Sequence, residues 1–225
     1  MEIGKKMLNL EILAQYWPSL LKGTLVSLQI SVLSSLLGFS LGTILGFWQT
    51  GKNNILASIV TVFVTIIRGT PMLIQIAFMY IVVFPSLGVQ SSALYIAIFA
   101  IGINSSAYIC EVIRSGIQSV NSGQIEAAKT LGLTSRQIDR YIVFPQAFKI
   151  VLPSLGNEVI TLVKDSSLAS TIGVMELFKE GKTIINQTYG AITVYIAVAV
   201  IYLAITSTAA FLLRLLEKRV SNVKN

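Results

Sequence analysis

Four ionisable residues stand inside apolar stretches of the chain: Arg68, Glu158, Lys164 and Asp165, with Glu111 at the border of another. A charged side chain within a bilayer is costly and is therefore a candidate functional group. Arg68 or Lys164 could bind a carboxylate, and Asp165 or Glu158 could bind an ammonium group. The alternative is that these charges pair with one another, between helices or across a dimer interface.

The residue types exclude several other chemistries. The chain has no histidine, so it cannot use a histidine general base or a histidine-ligated metal. Its single cysteine, Cys110, rules out an intrachain disulfide and a thiolate zinc site. We therefore expect no catalytic residue and no metal site in this chain.

Composition predicts the environment of these charges. Of the 225 residues, 54% are hydrophobic and only 12% are charged, and the mean hydropathy is +0.76. Soluble domains carry a charge on about a quarter of their residues, so this chain is predicted to lie in a membrane. Seventeen Lys and Arg against ten Asp and Glu give a net charge of +7. In so apolar a chain this excess indicates membrane orientation rather than nucleic-acid binding.

Apolar runs predict an all-α fold with five transmembrane helices. About 20 apolar residues are enough to cross the hydrocarbon core. Arg68-Gly69-Thr70-Pro71 interrupts one run, but each half is too short to span alone, so we expect one kinked helix there. The predicted spans cover residues 23–51, 53–84, 92–110, 153–178 and 189–213.

The remaining segments complete the predicted domain organisation. Residues 1–22 read as an N-terminal interfacial segment, residues 23–215 as the transmembrane domain and residues 216–225 as a cytoplasmic tail. Within the first span, Gly38, Gly42 and Gly46 share one helix face, which should let a neighbouring backbone approach closely.

The loop of residues 112–150 is polar and too long for a simple turn. Asn121 can cap a short helix that ends at Gly132. Thr134 with Gln137 forms a capping-box pattern that begins a second helix, which should stop before Pro145. In the first helix, Glu126 is expected in the first turn, where it meets the positive end of the helix dipole.

The distribution of Lys and Arg predicts the orientation. Ten of the seventeen cations fall on the side of this loop and the tail, and five fall on the opposite side. The positive-inside rule therefore places the loop and the C-terminus in the cytoplasm and the N-terminus outside. With six spans the N-terminus would be inside, and the excess of cations on the cytoplasmic side would be larger. The charge distribution therefore does not favour five spans, and that choice depends on helix length alone.

The loop also carries a pattern of residues. Glu126-Ala127-Ala128 is followed after three residues by Gly132, after nine more by Ile142, and then by Phe144-Pro145. This resembles the "EAA" loop in membrane subunits of ATP-binding-cassette (ABC) importers, except that Phe144 stands where leucine is usual. In that family the loop holds a coupling helix that fits a groove on the ATPase. The paired alanines leave a smooth face that another protein can approach. The resemblance implies ATPase contacts at Glu126, Ala127, Ala128, Gly132 and Pro145.

Further motifs resemble the polar amino-acid uptake permeases of that superfamily, and the likeness covers roughly residues 20–215. It implies a type I ABC importer permease fold with the coupling helix between the third and fourth spans. The motifs are Arg68-Gly69-Thr70-Pro71, Asn104-Ser105-Ser106-Ala107-Tyr108, the run at 152–158 and the run at 164–170.

The resemblance implies a set of partners. A second permease copy or relative, two ATPase chains that hold ATP and magnesium, and an extracytoplasmic amino-acid-binding protein are expected around this chain in a bacterial cytoplasmic membrane. No cofactor is expected in the chain itself. An amino-acid zwitterion needs a cation and an anion, and the residues expected around it are Arg68, Gly69, Thr70, Asn104, Glu158, Lys164, Asp165 and Ser166.

Two alternatives remain open from the residues. A self-sufficient secondary transporter or channel could also use intramembrane charges, but it has no need of a cytoplasmic docking loop. A structural membrane anchor would not need buried charges.

Overall fold

The structure, a computed structural model, describes residues 9–51 and 54–221, and regular secondary structure in this part of the chain is helical. Two π-helical segments, Met79–Val83 and Asp139–Val143, join α3 to α4 and α7 to α8, and the 3-10 helix Ser166–Ile172 follows α8. The helices are α1 (Leu10–Thr50), α2 (Asn54–Gly69), α3 (Met72–Phe78), α4 (Phe84–Ser86), α5 (Ala93–Gln118), α6 (Ser122–Thr130), α7 (Ser135–Ile138), α8 (Phe144–Asp165), α9 (Leu177–Thr188) and α10 (Ala191–Ser221).

Three helices in the described ranges are by themselves long and apolar enough to cross a membrane: Leu10–Thr50, Ala93–Gln118 and Ala191–Arg219. Asn54–Gly69 and Met72–Ser86 meet the same criterion together, which makes four. The all-α membrane fold is thus confirmed, and the count of five spans stays a prediction.

The predicted fourth span, 153–178, is not one helix. α8 starts before it, at Phe144, and ends at Asp165, and the 3-10 helix ends at Gly173 in a left-handed conformation with φ 89°.

The first predicted boundary, between residues 22 and 23, falls inside a helix. α1 runs through it without interruption and contains Pro18. Residues 10–22 therefore continue directly into the first span. The rest of the predicted interfacial segment, residues 1–8, lies outside the described residues, as do residues 52–53 and the end of the tail, 222–225.

The apolar run around Arg68 forms two separate helices, α2 and α3, rather than the one kinked helix that was predicted. α2 ends at Gly69, and Pro71 caps α3 with an extended backbone, φ −64° and ψ 133°. Proline lacks the N–H that a continuing helix would need, and its ring disfavours helical geometry at the preceding Thr70.

Pro145 does not stop a helix, contrary to the prediction. The chain stays helical from Ser135 through the π segment Asp139–Val143 into α8. A proline ring clashes with the carbonyl four residues earlier in a regular α-helix, and the wider π turn before Pro145 is a known way to relieve a disturbed hydrogen-bond ladder.

The described residues form two compact units. The first unit comprises residues 9–35, 71–102 and 159–209. One of its apolar clusters contains Ile30, Ile76 and Leu162, and another contains Leu20, Leu177 and Val194, which packs α9 against α1 and α10. Buried serines on α1 add hydrogen bonds, such as the one from Ser34 Oγ to the Ile98 carbonyl at 3.0 Å.

The second unit comprises the described residues of 36–70, 103–158 and 210–221. One of its apolar clusters joins α1, α2 and α5 through residues such as Leu45, Val60 and Ala107. The predicted close approach at the glycine stripe is confirmed at two positions. A methyl group on Gly42 would lie 2.7 Å from the Ser106 carbonyl oxygen, and one on Gly46 would lie 2.8 Å from Ile113 Cβ.

Candidate substrate site and coupling loop

Arg68 stands at the C-terminal end of α2, over an aromatic ring. Its guanidinium carbon lies 5.2 Å from the centre of the Tyr108 ring on α5, a distance typical of a cation–π contact. Two open clefts, of about 270 and 720 Å³, are both lined by Arg68, Tyr108 and Glu111, and Gly69 lines the larger one. A guanidinium over an aromatic ring can still bind a carboxylate through its N–H donors.

Glu111 lines the same clefts but has a local partner. Its carboxylate forms an ion pair and hydrogen bonds with Arg114, one helical turn further along α5. The sequence places Glu111 only at the border of an apolar stretch and does not single out Tyr108. The signal for Tyr108 was its place at the end of the 104–108 motif.

Glu158 lies on α8 and is held by a serine that the predicted set omitted. Ser105 Oγ donates a hydrogen bond of 2.9 Å to Glu158 Oε1. Asn104, next to Ser105 on α5, is buried, and Glu158 is partly exposed. One carboxylate oxygen is therefore oriented by α5, and this fixes the direction in which the group faces.

Lys164, Asp165 and Ser166 belong to the first unit, at the end of α8. Lys164 is exposed and Asp165 is partly buried. Ser166 is fully buried and its hydroxyl donates to the Val163 carbonyl at 2.7 Å. The predicted residues are thus distributed over both units: Arg68, Gly69, Thr70, Asn104 and Glu158 in the second, and Lys164, Asp165 and Ser166 in the first.

The loop of residues 119–147 has a small apolar core of its own. Ala128 of α6 packs with Ile138 and Val143, and Gln146 Nε2 donates to Gln124 Oε1 at 2.6 Å. The predicted caps are present. Asn121 accepts a hydrogen bond from the Gly123 N–H, and Thr134 forms a full capping box with Gln137.

The tip of this loop exposes the residues that could dock a partner. Gly132 ends the turn after α6 with φ 80°, and a methyl group added there would meet no atom within 4 Å. Glu126, Ala127 and Pro145 are exposed, and Leu131 is 79% exposed although the sequence analysis passed over it.

Two expectations for the loop were wrong. The first was that both alanines lie on a face open to another protein. Ala128 is only 3% exposed, because consecutive helical residues differ by about 100° and Ala128 faces the core of the loop. Glu126 is in the second turn of α6, because the helix starts at Ser122, directly after its cap Asn121. The dipole argument for Glu126 therefore does not hold.

Among the described residues there is no group of three or more His, Cys, Asp or Glu side chains that could hold a metal ion.

Comparison with known proteins agrees with these features. The sequence model of the family described as "Binding-protein-dependent transport system inner membrane component" matches residues 14–222. A permease protein of a nopaline transport system from Agrobacterium fabrum is 37% identical, with 93% of this chain and 91% of the relative covered. The permease protein of a glutamine transport system from Escherichia coli is 39% identical, over 90% of this chain and 94% of that protein.

Solved structures show the same fold. The crystal structure of an amino acid ABC transporter with histidines matches with a TM-score of 0.88 and 34% identity, over 94% of this chain and 99% of that one. A methionine ABC transporter in an inward-facing conformation matches with a TM-score of 0.79 at 22% identity, which supports the fold alone. The chain therefore belongs to the family of inner-membrane components of binding-protein-dependent transport systems, as a multi-pass permease subunit of an ABC importer.

Proposed function

We propose that this chain forms the membrane pathway of an importer for a polar amino acid. It pairs with a second copy or a close relative, and two ATPase chains bind below. A binding protein delivers the substrate from outside, where the N-terminus lies, and the C-terminus is cytoplasmic. ATP with magnesium acts on the ATPase chains, and their closure makes the paired permeases open inward and outward in turn.

The observation that carries this proposal is the loop of residues 119–147. It is folded around its own core, and it leaves Glu126, Ala127, Leu131 and Gly132 exposed at one end. A secondary transporter or channel would not need such a structured projection. Relatives named for nopaline and glutamine transport support an amino acid as the substrate.

The proposed substrate site is built around the charged residues of the predicted set. Arg68, held over Tyr108, would bind the carboxylate of the amino acid as a bidentate pair. Gly69 and Thr70, at the break after α2, belong to the same side of the proposed site. Asn104, Glu158, Lys164, Asp165 and Ser166 complete the proposed set, with Glu158 or Asp165 as the acceptor for the ammonium group.

The test of the coupling role is Gly132→Asp. A side chain added at Gly132 would meet no atom within 4 Å, but the positive φ strains any residue with a Cβ, at a cost of about 1–2 kcal/mol. The control, Gly88→Asp, carries the same strain, so a difference between the two variants reports on the docked partner. We expect normal membrane insertion, together with loss of ATP-driven uptake and of ATPase co-purification.

The chain offers a matched control in Gly88→Asp. Gly88 also has a positive φ, 66°, and also has no atom within 4 Å of an added methyl group, but it lies in the turn after Pro85, on the proposed outer side. This variant should keep its ATPase. Normal assembly and transport in Gly132→Asp would contradict the coupling role.

The energy source is tested in reconstituted vesicles. Uptake should require ATP inside the vesicles and the binding protein outside. Uptake driven by an ion gradient without ATP would instead establish the secondary transporter.

A further inference from the structure

Ser105 is a fully buried serine on α5 whose hydroxyl bonds outside its own helix. Its exposure is 0%. A serine inside a helix can donate to a carbonyl of the preceding turn, and the neighbouring Ser106 does so, to the Ile103 carbonyl at 2.7 Å. Ser105 Oγ donates instead to Glu158 Oε1 on α8, at 2.9 Å. A hydroxyl has one proton, and that of Ser105 therefore goes to this carboxylate.

The packing of α8 against α5 holds this pair in register. A methyl group added to Gly116 of α5 would overlap a methyl carbon of Val151 on α8, so the two helices are in close contact there. Ser105 lies about three helical turns before Gly116, on the same face of α5. Glu158 lies about two turns after Val151, on the same face of α8. The two contacts therefore belong to one helix–helix interface, which gives Ser105 a fixed place beside Glu158.

The hydrogen bond restricts a side chain that would otherwise have many conformations. Glu158 is partly exposed, and a glutamate in such a place can adopt several rotamers. Ser105 holds one of its oxygens before any ligand arrives. Part of the entropic cost of ordering the carboxylate is then met during folding and not during binding.

We propose that Ser105 is a positioning residue for substrate binding, which holds the Glu158 carboxylate in the orientation that accepts the ammonium group of the amino acid. This rests on the proposed function, because it takes Glu158, rather than Asp165, as that acceptor. Ser105 itself does not contact the substrate; it sets where the acceptor stands.

The decisive variant is Ser105→Ala, which removes the hydroxyl and no other group. Because Glu158 is partly exposed, water can replace the lost donor, and the protein should still fold. Ser106→Ala is the matched control, because Ser106 is also 0% exposed but donates within α5. Ser105→Cys is a second variant, because a thiol of similar size is a weaker donor than a hydroxyl.

Uptake is measured with the complete transporter in vesicles that hold ATP, using whichever of the twenty standard L-amino acids the wild type transports fastest. Ser105→Ala should raise the KM roughly three- to tenfold, the effect of one hydrogen bond. Ser105→Cys should give an intermediate KM. The kcat should stay within about twofold of the wild-type value in both variants, and Ser106→Ala should change neither constant.

A double variant tests whether Ser105 acts through the carboxylate. Glu158→Ala removes the group that Ser105 holds, so adding Ser105→Ala to it should raise the KM no further. Additive increases in KM would overturn this route.

Two failures are distinguishable. If Glu158→Ala leaves the KM unchanged while uptake still requires ATP, Glu158 is not the acceptor, and the inference is overturned while the proposed importer function stands. If Glu158→Ala raises the KM but Ser105→Ala behaves like Ser106→Ala, or only lowers the melting temperature, Ser105 is merely structural and the inference alone is overturned.

Discussion

Replacing Gly42 by alanine should destabilise the protein, although alanine is the better helix former. Gly42 lies on α1 where it meets α5. An added methyl carbon would lie 2.7 Å from both Ile109 Cβ and the Ser106 carbonyl oxygen. Carbon atoms in good contact are about 3.5–4.0 Å apart, so the two helices would have to separate by roughly 0.8 Å.

The size of the effect follows from two opposed contributions. Alanine gains about 1 kcal/mol over glycine in a helix interior. Overpacking costs about 1–3 kcal/mol, and the upper end applies because a backbone oxygen and a branched Cβ cannot rotate away. We expect a net loss of about 1–2 kcal/mol, and hence a melting temperature lower by about 2–8 °C for a chain of this size.

Gly46→Ala provides a second measurement one turn along. A methyl group there would lie 2.8 Å from Ile113 Cβ and 3.2 Å from the Cys110 carbonyl oxygen. A single displacement of α1 from α5 would relieve both sites, so the double variant should lose less than the sum of the two single losses.

The assay is thermal unfolding of the purified transporter in detergent, with Ser40→Ala as control, because Ser40 is exposed on the same helix and bonds only within it, to the Leu36 carbonyl. Substrate uptake should fall in parallel, because α5 also carries Tyr108 and Glu111 of the cleft. A more stable Gly42→Ala, or strictly additive losses, would refute the reasoning.

Two further predictions concern the proposed contacts. Arg68→Ala should weaken amino-acid binding at least tenfold, because it removes a charge-assisted pair, whereas Arg68→Lys should keep part of it; unchanged affinity in substrate-stimulated ATPase assays would remove Arg68 from the site. Leu131→Ala should leave the melting temperature unchanged, because Leu131 is 79% exposed, and should reduce co-purification of the ATPase; undiminished co-purification would show that the tip does not bind it.

The sequence predicted local features well because their causes lie within a few residues. The cap at Asn121, the capping box of Thr134 with Gln137 and the left-handed Gly132 each depend on contacts three or four positions apart. Pro71 predicted an irregularity beside Arg68, but as a kink within one helix, whereas α2 ends at Gly69.

Other features depend on which elements meet, and no local pattern contains that information. Glu176 looks like a surface charge beside Lys179 and Glu180, and only the packing of α9 against α1 and α10 shows that it is buried. Likewise, Ser105 donates a hydrogen bond to Glu158, which is 53 positions away in the sequence. Ala128 is buried because its side of α6 packs against the apolar core of the loop.

The two Phe-Pro pairs show what a proline does in this chain. Pro85 and Pro145 each follow a five-residue π segment, yet the first helix ends within a turn and the second continues for twenty residues, to Asp165. The proline is therefore not what ends a helix here, since a π turn before it accommodates the ring. After Pro85 comes Ser-Leu-Gly, and Gly88 takes a left-handed conformation that closes the turn. The same four residues recur at 153–156, yet there they lie inside α8, which continues to Asp165. The run Pro-Ser-Leu-Gly is therefore compatible with both a helix end and a continuing helix, so the local sequence does not decide where the helix stops.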